Sequence, residues 1–298
     1  MNAMDLKQLA CAVAVAEERN FTRAAARCHI VQSALSHQIA RLEAELGVVL
    51  FERTSRRVSL SAAGEAFLPV ARQVLDGVRQ VREVVAAASG EVRGTLTVGS
   101  LSALANVDPV EWLARFHQRH PGVAARLYTG SSGDLLDHVR DGSCDVAFVG
   151  VSVDAGLGRV SSLSLCREQL VALLPPGHRL GDEPGLSLRH LSAEPQVDYA
   201  GGSAARCQTD EAFLRSGVER RVSFEVGSLD WITRIVRRGL AIALVPEACA
   251  AQLDGVISRP IVDAPCRAVH MVWSRSPSPA AQAFVALFRD GFVPAPQN

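Results

Sequence analysis

Several features that mark membrane-spanning, secreted or metal-binding proteins are lacking in this sequence. It contains no apolar run near the roughly 18–20 residues that a membrane-spanning helix needs. Its first residues, MNAMDLKQLA, lack the basic segment and following apolar segment of a secretory signal. The seven cysteines form no CxxC pair and no Cys/His cluster with zinc-ligand spacing. We therefore expect a cytoplasmic protein with reduced cysteines and no membrane contact.

The motifs of common enzyme classes are also missing. The sequence has no GxSxG, no GxxxxGK(S/T) and no HExxH, and its scattered Ser, His and Asp residues form no triad pattern. His117 and His120 lie three residues apart on a predicted helix, but no third metal ligand accompanies them. We predict no catalytic residue, no metal site and no cofactor, and hence a protein that is not an enzyme.

The net charge is zero, but the arginines are unevenly distributed. Seven arginines lie between Arg19 and Arg57, against Glu43, Glu45 and Glu52. A local basic segment matters more for nucleic-acid binding than the total charge does. With 298 residues, of which 48% are apolar, the chain is long enough for two or three globular domains.

The N-terminal part predicts three helices and a hairpin. Leu6, Leu9 and Val13 lie on one side of a first helix at residues 5–18. We expect Thr22 to cap a short second helix, TRAAARC, and Ser33 to cap a third helix. In VVLFERTSRRVSL, apolar and polar residues alternate on both sides of TSRR, which predicts a short β-hairpin. Three helices followed by a basic hairpin form a winged helix-turn-helix, which we place at residues 1–61.

The third helix, QSALSHQIARLEAELG (32–47), ends at Gly47 and has a small, polar outer face. Its core stripe is Leu35, Ile39, Leu42 and Leu46. A helix that enters the major groove needs a slim face with hydrogen-bonding groups at its N-terminal end. The basic hairpin would contact phosphates or the adjacent minor groove. The alternative is a three-helix bundle with a solvated polar face. The predicted DNA-binding residues are Thr22, Arg23, Gln32, Ser33, Ala34, Ser36, His37, Arg41, Arg53, Arg56 and Arg57.

A long helix is predicted from about Ala62 to Ala88, within a linker at residues 62–90. Its apolar residues repeat at 4-3 spacing over three heptads, which favours a coiled-coil seam over a helix packed on a globular core. Because the seam is rich in alanine and valine, other contacts must help to hold a dimer. The predicted dimerisation residues are Phe67, Ala71, Val74, Val78, Val81 and Val85.

The remainder, residues 91–298, alternates short strands with helices. One βαβαβ series runs from TLTVGS to DVAFVG, and a second runs from QLVALLP to IALVP. This order predicts an α/β domain with a mostly parallel sheet covered on both faces. The echo between RDGSCDVAFVG and RRGLAIALVP indicates two similar Rossmann-like lobes, as in periplasmic binding proteins. We place lobe one at about 94–165 plus 268–298, and lobe two at about 166–267.

The segment NFTRAAARCHIVQSALSHQIARLEAELGVVLFERTSRRVSLSAAG (20–64) resembles the DNA-binding region of the LysR-type transcriptional regulators of bacteria. The match includes the FTxAA opening, the QSALSxQIxxLExELG helix, the LFxR turn and the basic wing. RGTLTVG, LARFHQRHPGV, GSSGDLLDHVRDGSCDVAFVG and IVRRGLAIALVPE agree more loosely. The resemblance therefore covers nearly the whole chain.

The resemblance implies a dimer, or a dimer of dimers, whose winged helices bind palindromic double-stranded sites near promoters. RNA polymerase is a further candidate partner. The family's wing contacts fall on Arg53 and Arg56, and its base contacts fall on Gln32, Ala34, Ser36 and His37. The family often has Arg at position 37, so His there departs from the pattern and adds a group that titrates near neutral pH.

The resemblance also implies a small effector, of unknown identity, between the two lobes. Because exposed N–H groups at helix starts bind anions, these loops could hold a carboxylate. Thr129 and Asp198 are expected to be strand-end structure, and Ser and Gly are also common turn residues. Cys207 falls where some relatives sense oxidants, although nothing in the sequence marks it as a reactive thiol. The candidate effector residues are Ser100, Ser102, Ser131, Ser132, Tyr199, Gly201, Ser203 and Gly227.

Two functions are therefore open at this point. The first is an effector-responsive transcriptional regulator. The alternative is a two-lobed small-molecule-binding protein, or an enzyme, with a helical appendage that does not bind DNA. Deletion of residues 1–90 separates them, because only the alternative retains its activity without that segment.

Overall fold

The computed structural model describes residues 4–53, 58–88, 91–262 and 264–293. The chain divides into two compact units. One is Met1–Glu91 with Asp141–Ser143, and the other is Val92–Arg140 with Cys144–Asn298. Within the described ranges, no helix has the length and apolarity that crossing a membrane requires.

The smaller unit contains three helices, a two-stranded hairpin and a long fourth helix. The hairpin strands pair antiparallel, with Phe51 opposite Leu60, as the alternating pattern predicts. Gly47 ends the third helix with a φ of 69°, a conformation that favours glycine. The elements are α1 (Leu6–Glu18), α2 (Phe21–Arg27), α3 (Gln32–Leu46), β1 (Phe51–Arg53), β2 (Val58–Leu60) and α4 (Ala62–Ala88).

The predicted caps of α2 and α3 are both wrong. Asn20, not Thr22, precedes α2 in extended conformation, and its side chain accepts a hydrogen bond from the backbone N–H of Arg23. Thr22 lies inside the helix. The residue before α3 is Val31, whose side chain makes no capping hydrogen bond. Ser33 lies inside the helix. The reason in both cases is that a capping side chain must sit just before the first helical residue.

The core of the smaller unit forms where α1, α2, α3 and the hairpin meet. Leu35, Ile39 and Leu42 of α3 are fully buried in it, as predicted, whereas the fourth residue of the stripe, Leu46, is exposed. Gly64 is required by packing, because a Cβ there would lie 2.2 Å from the backbone oxygen of Leu50. This close approach brings the start of α4 against the base of the hairpin.

The larger unit alternates strands with helices along its described residues. Its first half, as predicted, is a parallel βαβαβ series in which β3 pairs with both β4 and β5. These elements are β3 (Gly94–Ser100), α5 (Pro109–Arg119), β4 (Val123–Thr129), α6 (Ser132–Asp141) and β5 (Val146–Ser152). The second half comprises β6 (Ser161–Leu174), α7 (Leu188–Ser192), β7 (Pro195–Tyr199), α8 (Ala204–Arg215), β8 (Arg221–Val226), α9 (Leu229–Arg237), β9 (Ala243–Pro246), α10 (Glu247–Ala250), β10 (Ile257–Pro260), β11 (Cys266–Trp273) and α11 (Pro279–Gly291).

The prediction of a mostly parallel sheet is wrong for this second half. Among the described residues, the main sheet has the order β10-β6-β11-β5-β3-β4, with β9 also on β6. The strands β9, β10 and β11 all run antiparallel to β6, and β11 is also antiparallel to β5. The cause is the single long strand β6, which crosses from one lobe to the other, so returning strands pair with it in the opposite direction. In lobe two, the described strands β7 and β8 form a parallel pair, and Gln196 of β7 makes a further parallel bridge to Ile242.

The two predicted lobes are both present, and the chain passes between them along β6 and β11. The first part of β6 pairs with β11 up to Gln169, and from Leu170 onward it pairs with β9 and β10. The change of lobe therefore falls within β6. As expected, β11 and α11 return to lobe one, where Phe284 and Phe288 of α11 lie in its core.

Candidate nucleic-acid interface and ligand cavity

The outer face of α3 is exposed as the sequence predicts. Gln32, Ser33, Ala34, His37 and Arg41 are exposed on it, and Ser36 is half-buried. The opposite side of the helix is anchored by its buried leucine and isoleucine residues. The helix therefore presents small and polar side chains on a face that its own core holds in place.

The tip of this face contains a hydrogen bond between two candidate base-contacting residues. The amide nitrogen Nε2 of Gln32 donates to Oγ of Ser36, one turn later, at 3.4 Å. This contact orients the Gln32 amide along the helix axis. Because the bond is long and exposed, it can exchange for a hydrogen bond to a base edge.

Arg23, a predicted DNA contact on α2, is already partnered. Its Nε donates to Oε2 of Glu18 at 3.2 Å, and its Nη2 donates to the backbone oxygen of Glu18. Its side chain is nonetheless 65% exposed. The neighbouring Arg27 pairs with Glu17 at 2.6 Å. Thr22 is exposed on the same helix. Any phosphate contact by Arg23 has to compete with its ion pair to Glu18.

The hairpin is fixed to α3 through Glu43. Its Oε1 accepts hydrogen bonds from the backbone N–H groups of Leu50 and Phe51, at 2.8 and 3.2 Å. Arg53 is the last residue of β1. Arg56 and Arg57, both predicted phosphate contacts, lie outside the described residues.

The helix α4 spans Ala62–Ala88, as predicted, but its seam residues divide into two groups. Ala71 is buried and Phe67 partly buried against Leu9 and Val13 of α1, so both belong to the core of their own chain. Ala71 is therefore covered within its own chain, and the predicted role of the partly buried Phe67 in a dimer seam stays a prediction. Further along, Val78 is half-buried, and Val74, Val81 and Val85 are exposed.

A cavity of about 230 Å³ lies between the two lobes of the larger unit, at the carboxyl ends of their parallel strands. Ligands of open α/β sheets bind at such strand ends. Six of the eight predicted effector residues line this cavity: Ser102, Ser131, Ser132, Tyr199, Ser203 and Gly227.

The other two predicted residues are not part of the lining. The buried hydroxyl of Ser100 donates instead to the backbone oxygen of Leu101, at 3.1 Å. Gly201 lies in the turn after β7 and is exposed. Thr129 does line the cavity, although we expected it to be strand-end structure. Asp198, expected to be structural, pairs with Arg220 at 2.8 Å.

Three helices begin at this cavity, each with a serine whose hydroxyl caps the first turn. The hydroxyls of Ser131, Ser203 and Ser228 accept from backbone N–H groups at 3.2, 3.3 and 3.5 Å. Helix starts carry a partial positive charge. Three of them around one cavity favour an anionic ligand.

Two of the hydrogen bonds that join the lobes, among the described residues, lie beside the cavity. The hydroxyls of Ser102 and Tyr199 lie 3.4 Å apart, and Nε2 of Gln208 donates to the backbone oxygen of Gly150 at 3.3 Å. Burial raises the pKa of the Tyr199 hydroxyl, which therefore stays protonated at neutral pH. Because Ser102 and Tyr199 also line the cavity, a ligand that bonds to either one acts on the contact between the lobes.

Among the lining residues that sequence reasoning missed, Arg267 of β11 is the one with a charged side chain. Its side chain is 6% exposed, and its Nη2 lies 2.6 Å from Oε2 of Glu168. The signal available was a single arginine in the otherwise apolar strand CRAVHMVW. Its partner, however, lies 99 residues earlier in the chain and could not be identified from spacing.

The described cysteines are all free thiols. Burial raises the pKa of Cys144 and of Cys249 to about 11, so both are protonated and unreactive at neutral pH. Cys207 is exposed on α8. No described cysteine is paired with it, so the redox interpretation gains no support from geometry.

Comparison with known proteins identifies the family of both parts of the chain. A family model described as "Bacterial regulatory helix-turn-helix protein, lysR family" matches residues 6–65, and one described as "LysR substrate binding domain" matches residues 89–293. The chain is 33% identical to the HTH-type transcriptional regulator ShiR of Corynebacterium glutamicum (strain R), over 81% of this chain and 82% of that protein.

Two solved structures have a similar fold. A full-length variant of OxyR from Pseudomonas aeruginosa superposes with a TM-score of 0.74 at 26% identity, covering 96% of this chain and 94% of that one. Full-length CbnR in complex with its target DNA superposes with a TM-score of 0.66 at 24% identity, covering 96% and 99%.

Proposed function

The chain belongs to the LysR family of bacterial transcriptional regulators, and from this premise we propose which of its surfaces bind DNA and which bind the effector. The protein binds DNA, regulates transcription and is not an enzyme. The helix α3 enters the major groove, the β1–β2 hairpin lies along the adjacent backbone, and the cavity between the lobes holds a small molecule that modulates DNA binding.

The observation that carries the proposal is the exposed face of α3. Gln32, Ser33 and His37 are polar and exposed, and they lie near the N-terminal end of α3. A helix that reads the major groove directs this end toward the bases. Glutamine can read adenine, and serine can bond to bases or phosphates. Most solvent-facing helix surfaces carry long Lys and Glu side chains. Side chains of that length on α3 would hold the helix away from the floor of the groove.

Two copies of the chain are needed for a palindromic site. The exposed stripe of Val74, Val81 and Val85 on α4 supports a homodimer, because an apolar seam of this kind is stable only when it is covered. In a dimer of dimers, two such homodimers associate with each other. CbnR, a related fold, is described in complex with target DNA.

We place the protein in the cytoplasm because its DNA partner is there, and contact with RNA polymerase follows from promoter binding.

The experiment is a measurement of binding to a fluorescent duplex from the region upstream of the chain's own gene. We expect log K to fall linearly with log salt, by about 0.9 for each phosphate contacted. Arg53→Ala should weaken binding to every sequence alike, and Gln32→Ala should change the sequence preference. Glu45→Ala, on an exposed residue of the same helix outside the predicted set, is the matched control.

The rival function, a two-lobed binding protein with a helical appendage, gives the opposite result. It predicts no salt-dependent binding and no effect of either substitution. It also predicts that a chain lacking residues 1–90 retains its biological activity.

A further inference from the structure

The guanidinium of Arg267 is the only charged group among the described residues that line the cavity. Two of its three nitrogens are engaged on one side. Nε donates to Oε2 of Glu168 at 2.7 Å, and Nη2 donates to the backbone oxygen of Ala103 at 2.5 Å. These bonds fix the plane of the guanidinium and the direction of its third nitrogen.

The third nitrogen, Nη1, makes no hydrogen bond to any described residue and is not among the enclosed polar atoms that lack a partner. It therefore opens to the cavity. Gly150, which also lines the cavity, leaves room for it, since a Cβ at Gly150 would lie 3.4 Å from Nη1 and 3.3 Å from Cδ. Because Nη1 carries part of the guanidinium charge and points its N–H groups into the cavity, it favours a ligand with an acceptor oxygen.

Glu168 holds Arg267 in place but does not itself line the cavity. Its Oε2 accepts from Arg267, and its Oε1 accepts from the side-chain amide of Asn106 at 2.5 Å. The carboxylate is therefore fully engaged behind the guanidinium. It offsets part of the positive charge that a ligand meets, so Glu168 sets how strongly Arg267 attracts an anion.

We propose that the cavity selects a small carboxylate with an apolar body. Arg267 is the residue that selects the carboxylate, and Glu168 limits the affinity of the cavity for it. This inference rests on the proposed function, which requires a ligand in this cavity. The charge comes from Nη1 of Arg267 together with the three helix starts at Ser131, Ser203 and Ser228. The apolar body contacts the apolar part of the lining, at Leu101, Ala103 and Val226. The volume, about 230 Å³, is below the roughly 300–1,000 Å³ of pockets for drug-sized ligands, which indicates a small metabolite.

The test uses the full chain and matched pairs of probes. Acetate, propionate, butyrate and benzoate are compared with their neutral amides, and inorganic phosphate is included as an anion without an apolar body. Binding is measured by calorimetry and by the thermal shift of the same samples. We expect at least one carboxylate to bind at least about tenfold more tightly than its amide, because the amide lacks the charge-assisted hydrogen bond.

Two variants separate a selecting role from a structural one. Glu168→Gln removes the opposing charge and leaves Arg267 in place, so it should tighten carboxylate binding. The double variant Glu168→Gln/Arg267→Gln removes both charges without leaving a buried carboxylate unpaired, and should weaken carboxylate binding at least about tenfold while leaving amide binding unchanged. A loss of folding would weaken carboxylate binding in both variants. Tighter binding in Glu168→Gln together with weaker binding in the double variant is therefore not expected from a loss of folding. If the double variant does not fold, the Glu168→Gln result decides alone.

Four results would overturn the inference. They are equal binding of a carboxylate and its amide, binding of phosphate alone, no response to any of the four carboxylates, and carboxylate binding unaffected or weakened by Glu168→Gln. Ligand-free DNA binding of the same preparations reports separately on the proposed function. A chain that binds its upstream DNA but fails the carboxylate test loses only this inference, whereas a chain that does not bind DNA loses the proposed function.

Discussion

The carboxylate oxygen Oε1 of Glu43 on α3 lies 2.8 Å from the backbone nitrogen of Leu50, at the base of the hairpin. The same oxygen also accepts from the next backbone N–H. Glu43 therefore adds a polar connection between the groove-reading helix and the wing to the apolar core that they share.

Replacement of Glu43 tests this connection. We expect Glu43→Ala to lower the free energy of unfolding of the smaller unit by about 1.5–3 kcal/mol, the usual contribution of a hydrogen bond to a charged group. DNA affinity should fall as well, because the hairpin loses two hydrogen bonds that orient it on α3. Urea unfolding and duplex binding measure the two effects. In Glu45→Ala, which changes an exposed glutamate on the same helix, neither should change. Equal behaviour of the two variants would contradict the role of Glu43.

The close approach of α4 to the hairpin gives a second prediction. Gly64→Ala would place a Cβ 2.2 Å from the backbone oxygen of Leu50, so we expect a loss of about 1–3 kcal/mol or more in the free energy of unfolding. Gly77 is in the same helix and has nothing within 4 Å of its Cβ position. Gly77→Ala should instead raise stability by about 0.5–1 kcal/mol. If both variants shifted the unfolding midpoint in the same direction, this packing would be refuted.

The ion pair between Arg220 and Asp198 in lobe two gives a third prediction. The side chains of Arg220 and Asp198 are both buried, and they lie 2.8 Å apart. Arg220→Ala leaves the buried Asp198 carboxylate with Arg206, at 4.0 Å, as its remaining cation, and we expect it to destabilise the larger unit by about 3–5 kcal/mol. Arg215→Ala removes an arginine that is 70% exposed and should change stability by less than about 0.5 kcal/mol. Thermal unfolding of both variants checks the difference, and a stable Arg220→Ala protein would show that the pair contributes little.

The valine stripe of α4 gives a fourth prediction. Val81→Glu places a charge on the exposed stripe, and we expect the dissociation constant of the dimer to rise at least about tenfold, as measured by sedimentation. Ala66→Glu, an exposed change outside the stripe, serves as the control. DNA affinity should fall with the dimer in Val81→Glu and remain in Ala66→Glu. A Val81→Glu protein that stays dimeric would place the dimer interface elsewhere.

Elements that depend on local patterns could be predicted from the sequence. The bounds of α4, the helix end at Gly47 and the hairpin pairing all follow from spacing or from backbone preferences within a few residues. The capping errors at Thr22 and Ser33 have a local cause too, since in each case a capping type of residue stood one or two positions inside the true start.

The features that could not be predicted depend on contacts between distant parts of the chain. Sequence spacing does not reveal that β6 is one strand shared by both lobes, and that fact determines which pairings are antiparallel. The burial of Ala71 against α1 is a tertiary contact that the heptad pattern hides, because the same residue type suits a core and a seam. Arg267 gains its meaning only from Glu168 and Gly150, neither of which is near it in sequence.

The most direct test of the central claim is a hydroxyl-radical footprint of the full chain on its upstream DNA. Two copies of α3, held by a dimer, should protect two half-sites on one face of the duplex, about 10–10.5 base pairs apart or a multiple of that. In the Gln32→Ala protein the protected positions should spread or shift. A single protected segment, or no protection at low salt, would contradict the account.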